Sequence, residues 1–302
     1  MFRLRPSLPG LPRLAPRIRR VVPVTLTAEE EALARACRFP LARKLRPAYS
    51  GETPAARAGG ALLFHDHRPY QPGDDLRRVD WRAYGRTGDL VLKTFEEESA
   101  PRIELLLDAS ASMAVDPLKE EAARRWARFF VEVAMRRGCA VEVTRLGTGP
   151  AQSAATVFTA PWEYASDRDP LAALRVRAGR PRALRLLISD FLFSPGTLEE
   201  ALAPAARGAL AFFGLQVLAP DEIAPPWRGP VSLEDEDARG RVELIVGTGE
   251  VAEYQDNLAA HRRAVAEALT RRGGLFATVM AGAPLRAGVL EALVPAGMMI
   301  LG

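Results

Sequence analysis

The chain has 302 residues, 48% of them hydrophobic and 26% charged, with a formal net charge of +4 at pH 7. It reads as globular and soluble, long enough for one large domain or two small ones around a substantial core. Two distant cysteines, Cys37 and Cys139, exclude a disulfide framework and suggest reduced thiols in the cytoplasm; no stretch is apolar enough to span a membrane, and the start lacks the apolar core of a secretory signal.

Residues 1–46 form a first region, a basic arm rich in Pro and Arg. Ten arginines and Lys44 against Glu29, Glu30 and Glu31 give it +8, so the remainder carries −4. Such an arm could touch nucleic acid or an anionic membrane surface. No run of aromatic residues interleaves with the arginines for base stacking, which favours a solvated tail over specific nucleic-acid binding. Thr27-Ala-Glu-Glu30 is a capping box that opens a short helix to about Arg38, before Pro40.

Residues 47–100 form a second, β-rich and polar region. Strand-like Ala61–Phe64 and Leu90–Phe95 flank a dense segment from Arg68 to Trp81, with a turn at Pro72-Gly73-Asp74. Arg68, Tyr70, Asp74, Asp75, Arg77, Asp80 and Trp81 mix charges and rings too richly for an ordinary loop. Asp74, Asp75 and Asp80 could take a cation, but Arg68, Arg77, Arg78 and Arg82 beside them favour internal ion pairs. Trp81 and Tyr84 then read as packing anchors.

Residues 101–302 alternate strands and helices. Ile103–Leu107 is a strand, followed by a helix with Asp116 as N-cap, Pro117 at its first position and Gly138 past its end. Leu118, Ala122, Trp126, Phe129, Phe130, Val133 and Ala134 are expected on its apolar face. Then come strand 140–146, a short helix near 170–176, strand 183–188 and helix 198–207. Strand 210–218, a hairpin at 231–246, helix 254–269 and strand 275–280 complete the chain. Nearly continuous apolar strands between helices imply a Rossmann-like α/β fold, its mostly parallel sheet covered on both faces.

Leu105-Leu-Leu-Asp-Ala-Ser-Ala-Ser-Met113 carries the most chemistry. It sets Asp108, Ser110 and Ser112 on one loop at a strand's C-terminal end. One carboxylate and two hydroxyls are hard oxygen donors, suited to Mg²⁺ or Mn²⁺. The alternative is helix capping by the same side chains. Asp190 follows another apolar strand, and two strand-end acids facing one crevice favour the cation reading.

The Asp108-x-Ser110-x-Ser112 run with Asp190 resembles the metal-ion-dependent adhesion site of von Willebrand factor A domains. The segment from Phe64 to Tyr84, with Phe95-Glu-Glu-Glu98, resembles the bacterial family called "domain of unknown function 58" over about residues 45–302. The resemblance implies a von Willebrand factor A-like fold. It also implies a non-catalytic adaptor or co-chaperone role beside a MoxR-type AAA+ ATPase, with the metal bridging to a partner's acidic residue. Many members carry two N-terminal membrane helices; this chain resembles the shorter, soluble branch. The adhesion site normally adds a threonine from a later loop, for which Thr159 is the candidate among Thr148, Thr156, Thr159 and Ser166.

Other chemistry is thin. His65-x-His67 lacks a third metal ligand nearby. There is no phosphate loop, no Gly-x-Ser-x-Gly elbow and no His-Glu-x-x-His. The chain is therefore expected not to catalyse a reaction; the rival is a metal-dependent hydrolase using the strand-end acids.

Overall fold

The computed structural model describes residues 4–7, 24–40, 62–97, 102–148, 152–153, 157–158, 162–164, 169–176, 179–193, 195–235 and 241–302. In chain order the elements are β1 (Leu4–Ser7), α1 (Ala28–Ala36), β2 (Cys37–Arg38), β3 (Leu62–Pro69), α2 (Trp81–Thr87) and β4 (Val91–Glu97). There follow β5 (Arg102–Leu107), α3 (Pro117–Arg136), β6 (Val141–Arg145), β7 (Gln152–Ser153), α4 (Pro170–Val176), β8 (Ala183–Ser189) and α5 (Pro195–Ala206). The last are β9 (Ala211–Leu218), α6 (Pro220–Ile223), β10 (Gly229–Asp235), β11 (Arg241–Val246), α7 (Thr248–Thr270), β12 (Leu275–Met280), α8 (Leu285–Gly288) and β13 (Ile300–Leu301).

The chain divides into two compact units, residues 43–100 and residues 1–42 with 101–302. In the smaller unit β3 pairs antiparallel with β4, with an irregularity between Phe64 and Asp66. Asp80 caps α2, its Oδ1 accepting from the backbone N–H groups of Arg82 and Ala83. Gly88, with φ of 76°, ends that helix in the left-handed conformation.

The larger unit holds a six-stranded sheet in the order β12-β9-β8-β5-β6-β7. β5, β6, β8, β9 and β12 run parallel, and the short edge strand β7 is antiparallel to β6. Numbered along the chain, the order is 3-2-1-4-5-6. Strand order reverses between β5 and β8, so the crevice beyond their C-terminal ends is the topological switch point.

Alternation along the strands sorts side chains to two faces. Ile103, Leu105, Leu107, Leu184, Leu186, Ile188, Phe213, Leu215 and Val217 face the core that contains α1, α3 and residues 285–299. Leu106, Leu187 and Phe212 face the opposite core with α4, α5 and α7. Both faces are covered, which explains the unbroken apolar runs. On the α5 side the sheet also buries a charged pair: Glu104 and Arg185 are register partners, 2.7 Å apart.

Several expectations needed adjustment. The helix expected in residues 1–46 does not stand apart. Its capping box forms as read, and Leu33, Ala34 and Cys37 join the α3-side core. Arg125 pairs with Glu30 at 2.5 Å. Residues 4–7 of the arm form β1, antiparallel to β10 of the hairpin. α7 starts six residues earlier than the periodicity suggests, because the Gly247 N–H donates to Glu250 Oε2 at 2.9 Å and caps an extra turn. Both cysteines are free and buried. Among the described residues no helix is long and apolar enough to cross a membrane.

Candidate functional site

The apolar run of β5 ends at Leu107, and the chain turns away at once. Asp108 makes the turn: its Oδ1 accepts from the Ser110 backbone N–H at 2.8 Å and from Ser110 Oγ at 2.7 Å. The first of these is the capping-type bond that the sequence left open. Ser110 Oγ lies 3.0 Å from Ser112 Oγ. One carboxylate and two hydroxyls therefore form a continuous polar chain, and all three residues are buried.

The neighbouring strand reaches the same point. Ser189, the last residue of β8, donates through Oγ to Asp108 Oδ2 at 2.6 Å. The same Oγ accepts the Phe191 N–H at 3.0 Å. Phe191 has φ of 51°, a left-handed conformation that costs a bulky residue energy and persists only where surroundings enforce it. They do so here. Its ring is buried against Phe193 and Phe276, and its carbonyl lies 2.6 Å from His261 Nε2 of α7.

Asp190 sits at the β8 end with its side chain wholly buried, and it bonds to different groups from Asp108. Oδ2 accepts from Lys119 Nζ at 3.0 Å and Oδ1 from the Leu192 N–H at 3.2 Å. Lys119 Nζ also donates to Glu222 Oε1 at 2.6 Å. Burial opposes the lysine's charge, but Asp190 and Glu222 outweigh it and hold its pKa above the ordinary value. A hydrogen-bond chain backs this loop: Arg262 Nε donates to Thr278 Oγ1, which donates to Gln216 Oε1, and Gln216 Nε2 donates to the Asp190 carbonyl.

Tyr164 is a further neighbour. Burial first, and the negative charges of Glu120 and Asp108 after it, push its phenol well above the ordinary range against the pull of Arg124 and Arg145.

Thus Asp108, Ser110 and Ser112 converge, Asp190 stands at the adjacent strand end on a lysine, and Thr159 lies outside the described residues. Thr148, another candidate, donates to the Arg145 carbonyl at 2.9 Å. Among the described residues no three His, Cys, Asp or Glu side chains cluster as a metal site. The donor set that could hold a hard cation is the carboxylate with the two hydroxyls, and its chemistry suits Mg²⁺ or Mn²⁺.

The polar segment of the smaller unit is an internal bonding network. Arg68 binds Asp74 through both nitrogens, at 2.7 and 2.5 Å. That hydrogen bond first, and the Gln71 N–H second, hold the Asp74 carboxyl below the usual carboxylate range. Asp75 accepts the Arg77 N–H and Asp80 caps α2. Tyr70 N–H donates to the Leu90 carbonyl, and the Pro72-Gly73 turn is closed by Asp74 N–H to the Gln71 carbonyl. Trp81 and Tyr84 meet edge to face, their rings 6.2 Å apart. Both are exposed, at 58% and 43%, so they pack on each other. The side chains of His65 and His67 lie outside the described set.

Sequence reading missed Lys119, Ser189, Glu222 and Tyr164. A signal existed for Lys119: it precedes Ala123 by four residues and Trp126 by seven, both buried, so it lies on the inward face of α3.

Residues 66–146 match the family model described as "Protein of unknown function DUF58". That stretch contains the polar segment and Asp108, Ser110, Ser112 and Lys119, and stops short of Asp190. The "Uncharacterized protein Rv1480" of Mycobacterium tuberculosis is 28% identical over 229 residues, 68% of this chain and 70% of the relative. The "Uncharacterized protein Mb1516" of Mycobacterium bovis matches to the same extent. A solved structure, the conserved hypothetical protein BatB from Bacteroides thetaiotaomicron, aligns with 15% identity over 63% of this chain and 96% of that chain, at a TM-score of 0.33.

Proposed function

We propose that the chain is a non-catalytic protein-docking module. In this reading a divalent cation, Mg²⁺ or Mn²⁺, is held by Asp108, Ser110 and Ser112 and captures a carboxylate of a partner protein. The observation that carries the proposal is the convergence of those three side chains at the C-terminal end of β5, on the switch point. Open α/β sheets bind ligands there. A single carboxylate leaves a divalent ion under-neutralised, so the site would favour a further acidic ligand.

The strand order 3-2-1-4-5-6 with an antiparallel third strand supports a von Willebrand factor A-like fold. By the family resemblance, the partner proposed is a MoxR-type AAA+ ATPase. The site chemistry agrees with docking better than with catalysis. The hydroxyls of Ser110, Ser112 and Ser189 face carboxylates or one another, and the buried His261 imidazole faces a backbone carbonyl rather than a nucleophile.

The experiment is a binding assay between the purified chain and a MoxR-type ATPase of the same cell, with Mg²⁺ or with EDTA. Binding in Mg²⁺, lost in EDTA and in Asp108→Ala, is expected. Equal binding in all three would overturn the proposal.

A further inference from the structure

Lys119 lies in the first turn of α3, and its side chain is shielded completely from solvent. Its ammonium joins three elements: its own helix, the Asp190 carboxylate at the end of β8, and the Glu222 carboxylate on α6. The second oxygen of Glu222 is fixed by the Ala219 N–H at 2.8 Å. Burying an ammonium is costly unless it is well paired, and this one is paired twice. A lysine is a compact point charge. At Asp190 it supplies the positive charge that a bound metal would supply.

We infer that Lys119 is a resident counter-ion that withdraws Asp190 from cation binding and so limits the affinity of Asp108, Ser110 and Ser112 for a divalent ion. The inference rests on the cation reading of those three residues and assigns Asp190, the fourth expected ligand, to the lysine instead. The ammonium already neutralises Asp190, and a cation drawn toward Asp190 would have to displace it. The free protein then holds Mg²⁺ weakly, through one carboxylate and two hydroxyls. A partner carboxylate completes the coordination, so cation uptake and docking become coupled.

The test is calorimetric titration of Mg²⁺ into the full chain and into Lys119→Met, Asp190→Asn, Asp108→Ala and Asp108→Ala/Lys119→Met. Thermal unfolding with and without excess Mg²⁺ accompanies it. Lys119→Met is expected to bind Mg²⁺ about tenfold or more tighter than wild type, about 1.4 kcal/mol. Its Tm should rise more on adding Mg²⁺ than that of wild type. The gain should vanish in the double variant, and Asp190→Asn should keep the wild-type affinity within about twofold.

Affinity in Lys119→Met equal to or below wild type would overturn the inference. So would a loss of about tenfold in Asp190→Asn, an arm that decides the matter even if Lys119→Met does not fold. If wild-type binding is lost in Asp108→Ala and Asp190→Asn alike, the cation reading stands and only the role of Lys119 falls. If neither wild type nor Lys119→Met binds Mg²⁺, the cation reading itself falls.

Discussion

Ser189 and Asp108 are 81 residues apart in the chain, yet the Ser189 hydroxyl donates to Asp108 Oδ2 at 2.6 Å. This bond ties the ends of β5 and β8 across the point where strand order reverses. The same hydroxyl holds the N–H of left-handed Phe191, so one side chain fixes both the acid and the loop beside it. Ser189→Ala removes one hydrogen bond from a buried carboxylate oxygen and one from a buried N–H. A loss of about 2–3 kcal/mol is expected, read as a lower urea midpoint at unchanged slope. A shift under about 0.5 kcal/mol would show that the bond does not hold this junction.

Arg185 and Glu104 make a second buried pair, nearer the N-terminal ends of the same two strands. Arg185 also donates to the carbonyls of Arg180, Ala205 and Arg207. A Cβ on Gly179 would run into the Arg185 guanidinium, so glycine is what lets loop 179–180 close over it. Arg185→Leu should cost about 3–5 kcal/mol, because it removes the guanidinium paired with a buried carboxylate. Arg185→Leu/Glu104→Leu should cost clearly less than the two single changes together, and additivity would refute the coupling.

Cys37 is buried between α1 and α3, and burial raises its thiol to about 11 from 9.0 against the opposing charge of Arg137. In the folded protein it stays a neutral thiol where an unfolded chain would ionise. Its contribution to stability is therefore full below pH 9.0 and is lost as pH rises toward about 11. At pH 8 iodoacetamide should label Cys37 far faster in urea than in the native protein, as mass spectrometry would show. Equal rates would contradict the burial.

In the smaller unit Asp80 caps α2 through two backbone N–H groups. Asp80→Ala should weaken that helix by about 1 kcal/mol and speed amide exchange over residues 82–88 about fivefold. Unchanged exchange there would remove Asp80 from its capping role.

Much of this was legible in the chain itself. Leu105–Leu107 and Leu186–Ile188 are apolar enough to require strands covered on both faces; Asp108 follows the first directly, and Asp190 follows the second after Ser189. The bounds of α3 are written in Asp116-Pro117 and Gly138, and Asp116 caps it with a 2.7 Å bond to the Leu118 N–H. Lys119 was not legible by hydropathy. Periodicity assigned Leu118 to the apolar face, yet Leu118 is 47% exposed and Lys119 is buried. The first turn of α3 meets the strand ends, where two carboxylates outweigh the preference of a lysine for water. α2 was missed because its helix signal is a capping aspartate inside a segment crowded with arginines, where an ion pair reads as readily as a cap.

Calorimetry of Mg²⁺ with the wild-type chain and with Asp108→Asn, which keeps the size of the side chain and removes its charge, tests the docking site most directly. Binding at the wild-type site that weakens about tenfold or more in Asp108→Asn, with circular dichroism unchanged, is the expected result. Identical Mg²⁺ isotherms for the two proteins would contradict the assignment of Asp108, Ser110 and Ser112 to a cation.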